Sequence, residues 1–410
     1  MQEIISSLVM VAPKALMDRT SRPIQIYLDS SDYSRLSLAE TSPEVMEIKE
    51  TLLKYARDGR VNFRYSAISV LETAPVRLED LDLGCSRIRC IYELCGKHTL
   101  IDPESLLRKE INNLIKGAPA AVDAKNNKGY WTPLFNNIDL ISMKEVKEII
   151  RTEIRKEMPG LSRNQMRKMI SSKSGVVSKL NDDIFSEMSS RYPVNNAVFS
   201  VLKRYMLGSA THKQVVDALK DSFAELDLFA KLYETHWSDV SKPTGWLRVE
   251  GRKLREAFDT FQQEIKSLYL NAEMHGFDIG FTKGVVKSER EKLEKKFIGN
   301  VVDRITASVT GRKISVSPPS WELSPSLLGM ISLFIEKIRI GANNLNIKKL
   351  AKNSDFGDVA HALYLPYVDV FRCDAATGEL IRRVNPPLNT SVVSKLDGLI
   401  PEIERKLSSP

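Results

Sequence analysis

The sequence predicts an α/β fold, a parallel-sheet sandwich domain interrupted by a large all-helical insertion. Three observations carry this expectation. The first hundred residues alternate strand and helix patterns, an order that implies parallel pairing through crossover connections. Between residues 101 and 329 strand signals nearly vanish while helical periodicity persists. A strand pattern returns at 367–372, so the α/β unit comprises 1–100 and 330–410. A surface loop tolerates such an insertion when the chain leaves and re-enters close together.

Taken in order, Ile24-Gln25-Ile26-Tyr27-Leu28 is short, apolar and β-rich, and reads as a buried strand. Thr41-Ser42-Pro43-Glu44 marks a helix start, with polar caps, a proline at the first turn and an acid behind it. Val45, Ile48, Leu52, Leu53 and Ala56 keep helical spacing to about Arg57, where Asp58-Gly59 breaks the pattern. Val61 to Tyr65 resumes as a strand, and Ser66 or Ser69 opens a helix that carries Glu72. Helices are expected at 104–116, 143–158, 161–171, 195–207, 212–235, 246–276 and 284–308. Lys313 to Pro325 is a loop leading back to a helix at 326–339 and the strand at 367–372.

The chain has 410 residues, 42% hydrophobic and 27% charged, the composition of an ordinary globular protein with room for two or three domains. Its four cysteines are few, and the five-residue spacing of Cys85, Cys90 and Cys95 fits neither a zinc nor a thiol–disulfide motif. That favours a reducing, cytoplasmic setting. The apolar patch Ile4 to Ala12 lacks a basic leader and is too short to span a bilayer, so neither secretion nor membrane insertion is expected. The net charge of +8 lies wholly within residues 101–340, which hold 38 Lys and Arg against 30 Asp and Glu. The flanking segments are neutral overall, and a positive segment beside an acidic metal site suits a polyanionic substrate.

Four carboxylates carry the chemistry. Asp29 closes the first strand and Asp374 follows the run Tyr367 to Cys373, while Glu72 and Asp358 fall near expected helix starts. Open parallel sheets place ligands at the carboxyl ends of their strands. Clustered carboxylates repel unless a hard cation neutralises them, and Mg²⁺ binds carboxylate and phosphate oxygens, which points to metal-assisted phosphodiester chemistry. A single Asp at a strand end is more often a turn or cap residue. Asp355 shares a helical face with Asp358 and competes for the third place; Asp369 competes for the last. Asp32 either orients the site from the first loop or is a solvated acid. His361, three residues after Asp358, either contacts phosphate or carboxylate or hydrogen bonds within the core. The other four histidines, His98, His212, His236 and His275, have no metal-ligand spacing.

The densest basic run holds Arg151, Arg155, Lys156, Arg163, Arg167, Lys168, Lys173 and Lys179. It is either a solvated helix pair or a phosphate-contacting surface. Tyr130, Trp131, Trp237 and Trp246 have the chemistry to stack on bases, although burial is the commoner fate of such rings.

The segments Ile-Tyr-Leu-Asp-Ser-Ser-Asp-Tyr-Ser-Arg-Leu (26–36), Tyr-Ser-Ala-Ile-Ser-Val-Leu-Glu-Thr (65–73) and Asp-Phe-Gly-Asp-Val-Ala-His-Ala-Leu-Tyr-Leu-Pro-Tyr-Val-Asp-Val-Phe-Arg-Cys-Asp (355–374) resemble PIN-domain nucleases. The resemblance covers roughly residues 20–100 and 345–390, and its last segment is the most specific. It implies that Asp29, Glu72, Asp358 and Asp374 hold one or two Mg²⁺ or Mn²⁺ ions, directly or through water. It also implies an endoribonuclease without a covalent intermediate, of the kind that serves as a toxin or in antiphage defence. RNA would be the substrate, and the helical insertion would select it or bind a regulatory protein partner. Two features depart from the family: the long insertion, and Arg372-Cys373 where a hydroxyl residue commonly precedes the last acid. A flap-type DNA nuclease is the enzymatic alternative, but no Gly-rich helix-hairpin-helix signature is present. A non-catalytic scaffold binding RNA or protein is the other. A haloacid dehalogenase-type phosphatase needs aspartates two apart, whereas Asp29 and Asp32 are three apart.

Overall fold

Alternation along the first strand sets the layers. In β1 (Ile24–Tyr27) and the residue after it, Ile26 and Leu28 enter one buried cluster and Tyr27 enters another. Successive side chains of a strand point to opposite faces, so a run that is apolar throughout marks a sheet covered on both sides. These observations come from a computed structural model that describes residues 22–38, 42–132, 194–235, 279–343 and 355–408, save Val76, Leu207 and Leu232, with isolated stretches within 148–168 and 256–275.

The sheet is parallel, in the order β2 (Val61–Arg64), β1, β5 (Val370–Arg372), β6 (Ser391–Val393). Ile24 to Tyr27 pair with Val61 to Arg64 on one side, and Ile26 and Tyr27 pair with Val370 and Phe371 on the other. A parallel bridge from Tyr65 to Thr99 adds β3 (Thr99–Leu100) beyond β2, and β3 pairs antiparallel with β4 (Lys125–Asn126). The chain winds outward from β1 through β2 to β3, then returns to the other side of β1 with β5 and moves out to β6, so the winding direction reverses between β1 and β5. Ligand crevices of open α/β sheets form at such a reversal, outside the carboxyl ends of the strands.

On one face, Ile26, Val61, Phe63 and Val370 pack against α1 (Ser30–Leu36), α2 (Pro43–Arg57), α4 (Leu81–Cys95) and α12 (Leu399–Leu407). On the other, Tyr27 and Phe371 stack in parallel, ring centroids 5.5 Å apart. They pack against α9 (Pro325–Asn343), α10 (Asp355–His361) and α11 (Ala375–Val384). Each fully buried side chain of this size contributes about 1.5–3 kcal/mol. Residues from the middle of the chain join both clusters: Trp131, Leu226, Phe229 and Tyr233 the first, Leu106 and Ala124 the second. Glu110 of α5 (Pro103–Lys116) is fully buried and accepts from the backbone N–H of Ser326 and Leu327, which anchors the first turn of α9. The four cysteines are free and buried.

Several local expectations are corrected. The strand expected over 367–372 begins at Val370, because residues 362–367 form a 3-10 turn containing Pro366. The chain becomes extended only at Val368, after Pro366 and Tyr367 have closed that turn, and it pairs in the sheet from Val370. Glu72 occupies the last turn of α3 (Ala67–Thr73) rather than its start, because Ser66 supplies the cap. The helix expected over 212–235 is interrupted after α7 (His212–Phe223), at Ala224 and Glu225. The helices expected over 284–308 and 326–339 are observed at Ile279–Thr310 (α8) and as α9. No helix among the described residues is long and apolar enough to cross a membrane.

Candidate metal centre

Local sequence positions each acid. Leu28 ends β1, and Asp29 becomes the N-cap of α1, its carboxylate accepting the Ser31 N–H at 3.4 Å. Across the reversal, Asp374 caps α11 in the same way and accepts the Thr377 N–H at 2.6 Å. Capping satisfies backbone donors that the helix leaves unpaired and orients each carboxylate outside its strand end. The two acids thus have the ordinary role of strand-end aspartates and also stand at the carboxyl ends of the adjacent strands β1 and β5.

Glu72 reaches the same place from α3. Its Oε2 accepts from the Ser30 hydroxyl at 2.6 Å and faces His361 Nε2 at 2.8 Å. His361 Nε2 also lies 4.0 Å from Asp29 Oδ1. Asp29, Glu72 and His361 each offer a ligand atom within 4.8 Å of the others. Gly357 permits this approach. A side chain there would drive its β-carbon into the Glu72 carboxylate, so α10 can pass this close only with hydrogen at that position.

His361 is nearly fully buried, and both ring nitrogens are engaged. Nδ1 lies 2.6 Å from the Tyr27 hydroxyl, which also contacts Ser66 Oγ at 2.7 Å and Ser69 Oγ at 3.1 Å. Burial pulls the imidazole's proton affinity down, but Tyr27, Glu72 and Asp29 outweigh it and hold the ring well above its ordinary range. The charged ring donates from Nδ1 to Tyr27 and from Nε2 to Glu72, and Tyr27 passes its own proton to a serine. Burial pushes the Glu72 carboxyl up, but the His361 charge and the bonds from His361 and Ser30 hold it below the usual range. The side chain keeps 22% exposure, so the cluster is open to solvent on one side.

Asp358 completes the cluster electrostatically. Its carboxyl is pushed up to about 7 by burial first, then by the negative charges of Asp374, Asp29 and Glu72, with Lys337 opposing. Asp29, Glu72 and Asp374, from three other segments, therefore all act on Asp358, although Asp358 and Asp374 are not among the residues whose ligand atoms gather within 4.8 Å. An oxygen-rich group of this kind fits a hard divalent cation, and His361 would add a nitrogen ligand suited to Mn²⁺ once the ion displaces the Nε2 proton.

Asp32 is no solvated acid. It is completely buried, with Arg372 Nη2 2.8 Å from Oδ1. The approach is out of line, and both Asp32 oxygens and Arg372 Nε lack a hydrogen-bond partner. Burial pushes the Asp32 carboxyl up to about 7 against the pull of Arg372. Arg372 also donates to the Cys373 carbonyl, so this pair ties α1 to the end of β5, between Asp29 and Asp374 in the fold. Asp369 lies at the other end of the sheet, where it accepts from Arg22 and from the Gln25 N–H, both at 2.8 Å. The Asp355 side chain lies outside the described residues.

Two contributors escaped sequence reasoning. Tyr27 read only as part of a buried strand and Gly357 drew no reading; their signal was parity with Asp29 along β1 and proximity to Asp358. Of the basic run, Arg155, Lys156, Arg163, Arg167 and Lys168 are exposed, Arg151 is half-buried and pairs with Glu148, and Lys173 lies outside the described residues. Trp131 is a core residue whose Nε1 donates to the Phe223 carbonyl, and Tyr130 donates to Asp221; Trp237 and Trp246 lie outside the described residues. Comparison with protein-family models, curated proteins and solved structures returned no match.

Proposed function

We propose that the chain is a metal-dependent endoribonuclease of the PIN type, with Asp29, Glu72, Asp358 and Asp374 as its metal-binding acids. The observation that carries this reading is the gathering of ligand atoms of Asp29, Glu72 and His361 within 4.8 Å of one another at the reversal point of the sheet, close enough to Asp358 for the acids to raise its proton affinity. Mutual repulsion among carboxylates at the carboxyl ends of adjacent strands has no structural benefit and is relieved by a cation. A bound Mg²⁺ or Mn²⁺ supplies Lewis acidity toward the phosphoryl group and the attacking water. The protein's own residues fix the geometry. Asp29 and Asp374 are oriented by their caps, Ser30 and His361 orient Glu72, and Tyr27 orients His361. Asp358 holds a proton up to about pH 7 while the cluster is unneutralised and releases it when positive charge arrives. The net positive middle segment and its exposed basic run favour RNA as the polyanion.

A non-catalytic scaffold is the second reading. It is favoured by the internal satisfaction of Glu72 through His361 and Ser30, and of Asp29 and Asp374 as caps. One experiment separates the two. Full-length protein, Asp29→Asn and Asp358→Asn are incubated with end-labelled single-stranded RNA, structured RNA and matching DNA, in Mn²⁺ or EDTA. RNA cleavage that requires Mn²⁺ and disappears in both variants is expected. Cleavage that survives EDTA or both substitutions overturns the carboxylate mechanism. Preference for DNA favours the flap-type alternative, and no cleavage of any substrate favours the scaffold.

A further inference from the structure

A cavity of about 500 Å³ opens beside β3 and β4, lined by Lys97, Asn127, Lys128 and Tyr130 and, from α7, by Lys213, Asp217 and Asp221. Its size suits a small ligand. Its walls are held by specific contacts. Gly129 has φ +78°, and a β-carbon there would stand 2.7 Å from Ala224 Cβ, so the loop seats against the end of α7 only as glycine. Trp131 Nε1 donates to the Phe223 carbonyl at 2.9 Å, and the Tyr130 hydroxyl donates to Asp221 at 2.7 Å.

The charges do not balance. Asp217 is paired with Lys213 at 3.2 Å, and Asp221 accepts from Tyr130. Lys97 and Lys128 have no carboxylate partner among the described residues; the Lys128 ammonium instead lies 5.9 Å from the centre of the Tyr130 ring. Behind the wall sits Arg64, almost wholly buried. Its three bonded nitrogens donate to the Gln25 side-chain carbonyl, to the Thr99 carbonyl at 3.0 Å, and to Asn127 Oδ1 at 2.9 Å. Every one of those acceptors is neutral. Burial lowers the proton affinity of Arg64 and the nearby Asp123 carboxylate only partly offsets it, so the approach of a further anion is favourable. An anion in the pocket makes that approach through Asn127, which lines it.

We propose that this pocket is a phosphate-binding site for a nucleotide, either free or as part of an RNA strand. Lys97 and Lys128 contact the phosphoryl oxygens, the Asn127 amide donates to them, and the Arg64 charge behind Asn127 adds to the attraction. The site is separate from the acidic cluster and stands whether or not that cluster cleaves RNA.

The test uses full-length protein in EDTA, which removes any contribution of divalent ions at the acidic cluster. Binding of radiolabelled ATP is measured by equilibrium dialysis with pyrophosphate as competitor, and binding of a labelled single-stranded RNA by anisotropy over a salt series. The double variant Lys97→Glu/Lys128→Glu is compared with Lys97→Arg/Lys128→Arg, with folding checked by circular dichroism. The glutamate variant is expected to bind at least about tenfold more weakly, the arginine variant like the parent. For RNA the salt slope falls by about 0.7 for each phosphate that the variant no longer neutralises. ATP binding displaced by pyrophosphate but not by RNA identifies a free nucleotide as ligand, and RNA binding alone identifies the strand. No binding of ATP or RNA by the parent protein, or unchanged binding by the folded glutamate variant, overturns the proposal. The binding assays run in EDTA and read no cleavage, whereas the cleavage assay of the acidic cluster runs in Mn²⁺, so failure of either result leaves the other readable.

Discussion

Replacing Asp358 by Asn tests the acidic cluster through stability, without any substrate. The wild-type carboxyl titrates near 7 instead of 3.8. Holding it ionised in the folded chain therefore costs about 4 kcal/mol relative to the unfolded one. The group keeps some solvent contact, which cuts that figure to about 2 kcal/mol. Because the folded state binds this proton more tightly than the unfolded state, the folded protein is favoured at low pH and loses this stability as pH rises from about 4 to about 7. Asp358→Asn has no proton to lose there. In EDTA at pH 8 it is expected to be more stable than wild type by about 2 kcal/mol, a rise of a few degrees in Tm, with little difference at pH 4. Mn²⁺ at about a hundred times its Kd then stabilises wild type by about 2.7 kcal/mol and the variant by less. Differential scanning calorimetry in EDTA and in Mn²⁺, at both pH values, measures all four quantities. A variant less stable than wild type at pH 8 in EDTA, or equal Mn²⁺ stabilisation of the two proteins, would refute mutual repulsion among the acids.

Tyr27→Phe removes the hydroxyl that orients His361 while keeping the stacked ring. Isothermal titration is expected to show about tenfold weaker Mn²⁺ binding, as for the loss of other groups that orient metal ligands, and chemical denaturation a loss of about 1–2 kcal/mol. Gly357→Ala drives a methyl into the Glu72 carboxylate; Mn²⁺-dependent stabilisation in calorimetry should be abolished, and its persistence would show that Glu72 is not a ligand. Arg372→Met leaves Asp32 buried without its cation, at a cost of about 3–5 kcal/mol in urea unfolding at pH 8. That loss should shrink at pH 5, because without the pull of Arg372 burial pushes the Asp32 carboxyl up further still and it takes up a proton, and adding Asp32→Leu to Arg372→Met should recover most of it.

The acids themselves were legible because each follows a pattern that local sequence reports. Asp29 and Asp374 end apolar strand runs, and Asp358 and His361 sit three apart on one helical turn. The status of Asp32 was not legible, since an acid in Ser-Ser-Asp-Tyr reads as a loop residue until Arg372, some 340 residues later, is seen against it. The role of Tyr27 was equally hidden. A tyrosine inside an apolar strand is ordinary core, and only the arrival of His361 and the two serines turns its hydroxyl toward the site. The strand expected from Tyr367 starts late for a different reason, because the turn through Pro366 takes up Tyr367 and a β-rich composition does not mark where pairing begins.

By itself the sequence determined the β-α-β-α order at the start of the chain, the strand ends that carry Asp29 and Asp374, and the glycine at position 357, one helical turn before His361. These depend on side-chain alternation, capping and backbone freedom, which act within a few residues. Long-range packing alone places β5 beside β1, brings Asp29, Glu72 and His361 together at the reversal of the sheet, and buries Arg64 behind a basic pocket. Pairing between distant strands depends on burying both faces of the sheet at once, and no local stretch of sequence records which partner achieves that.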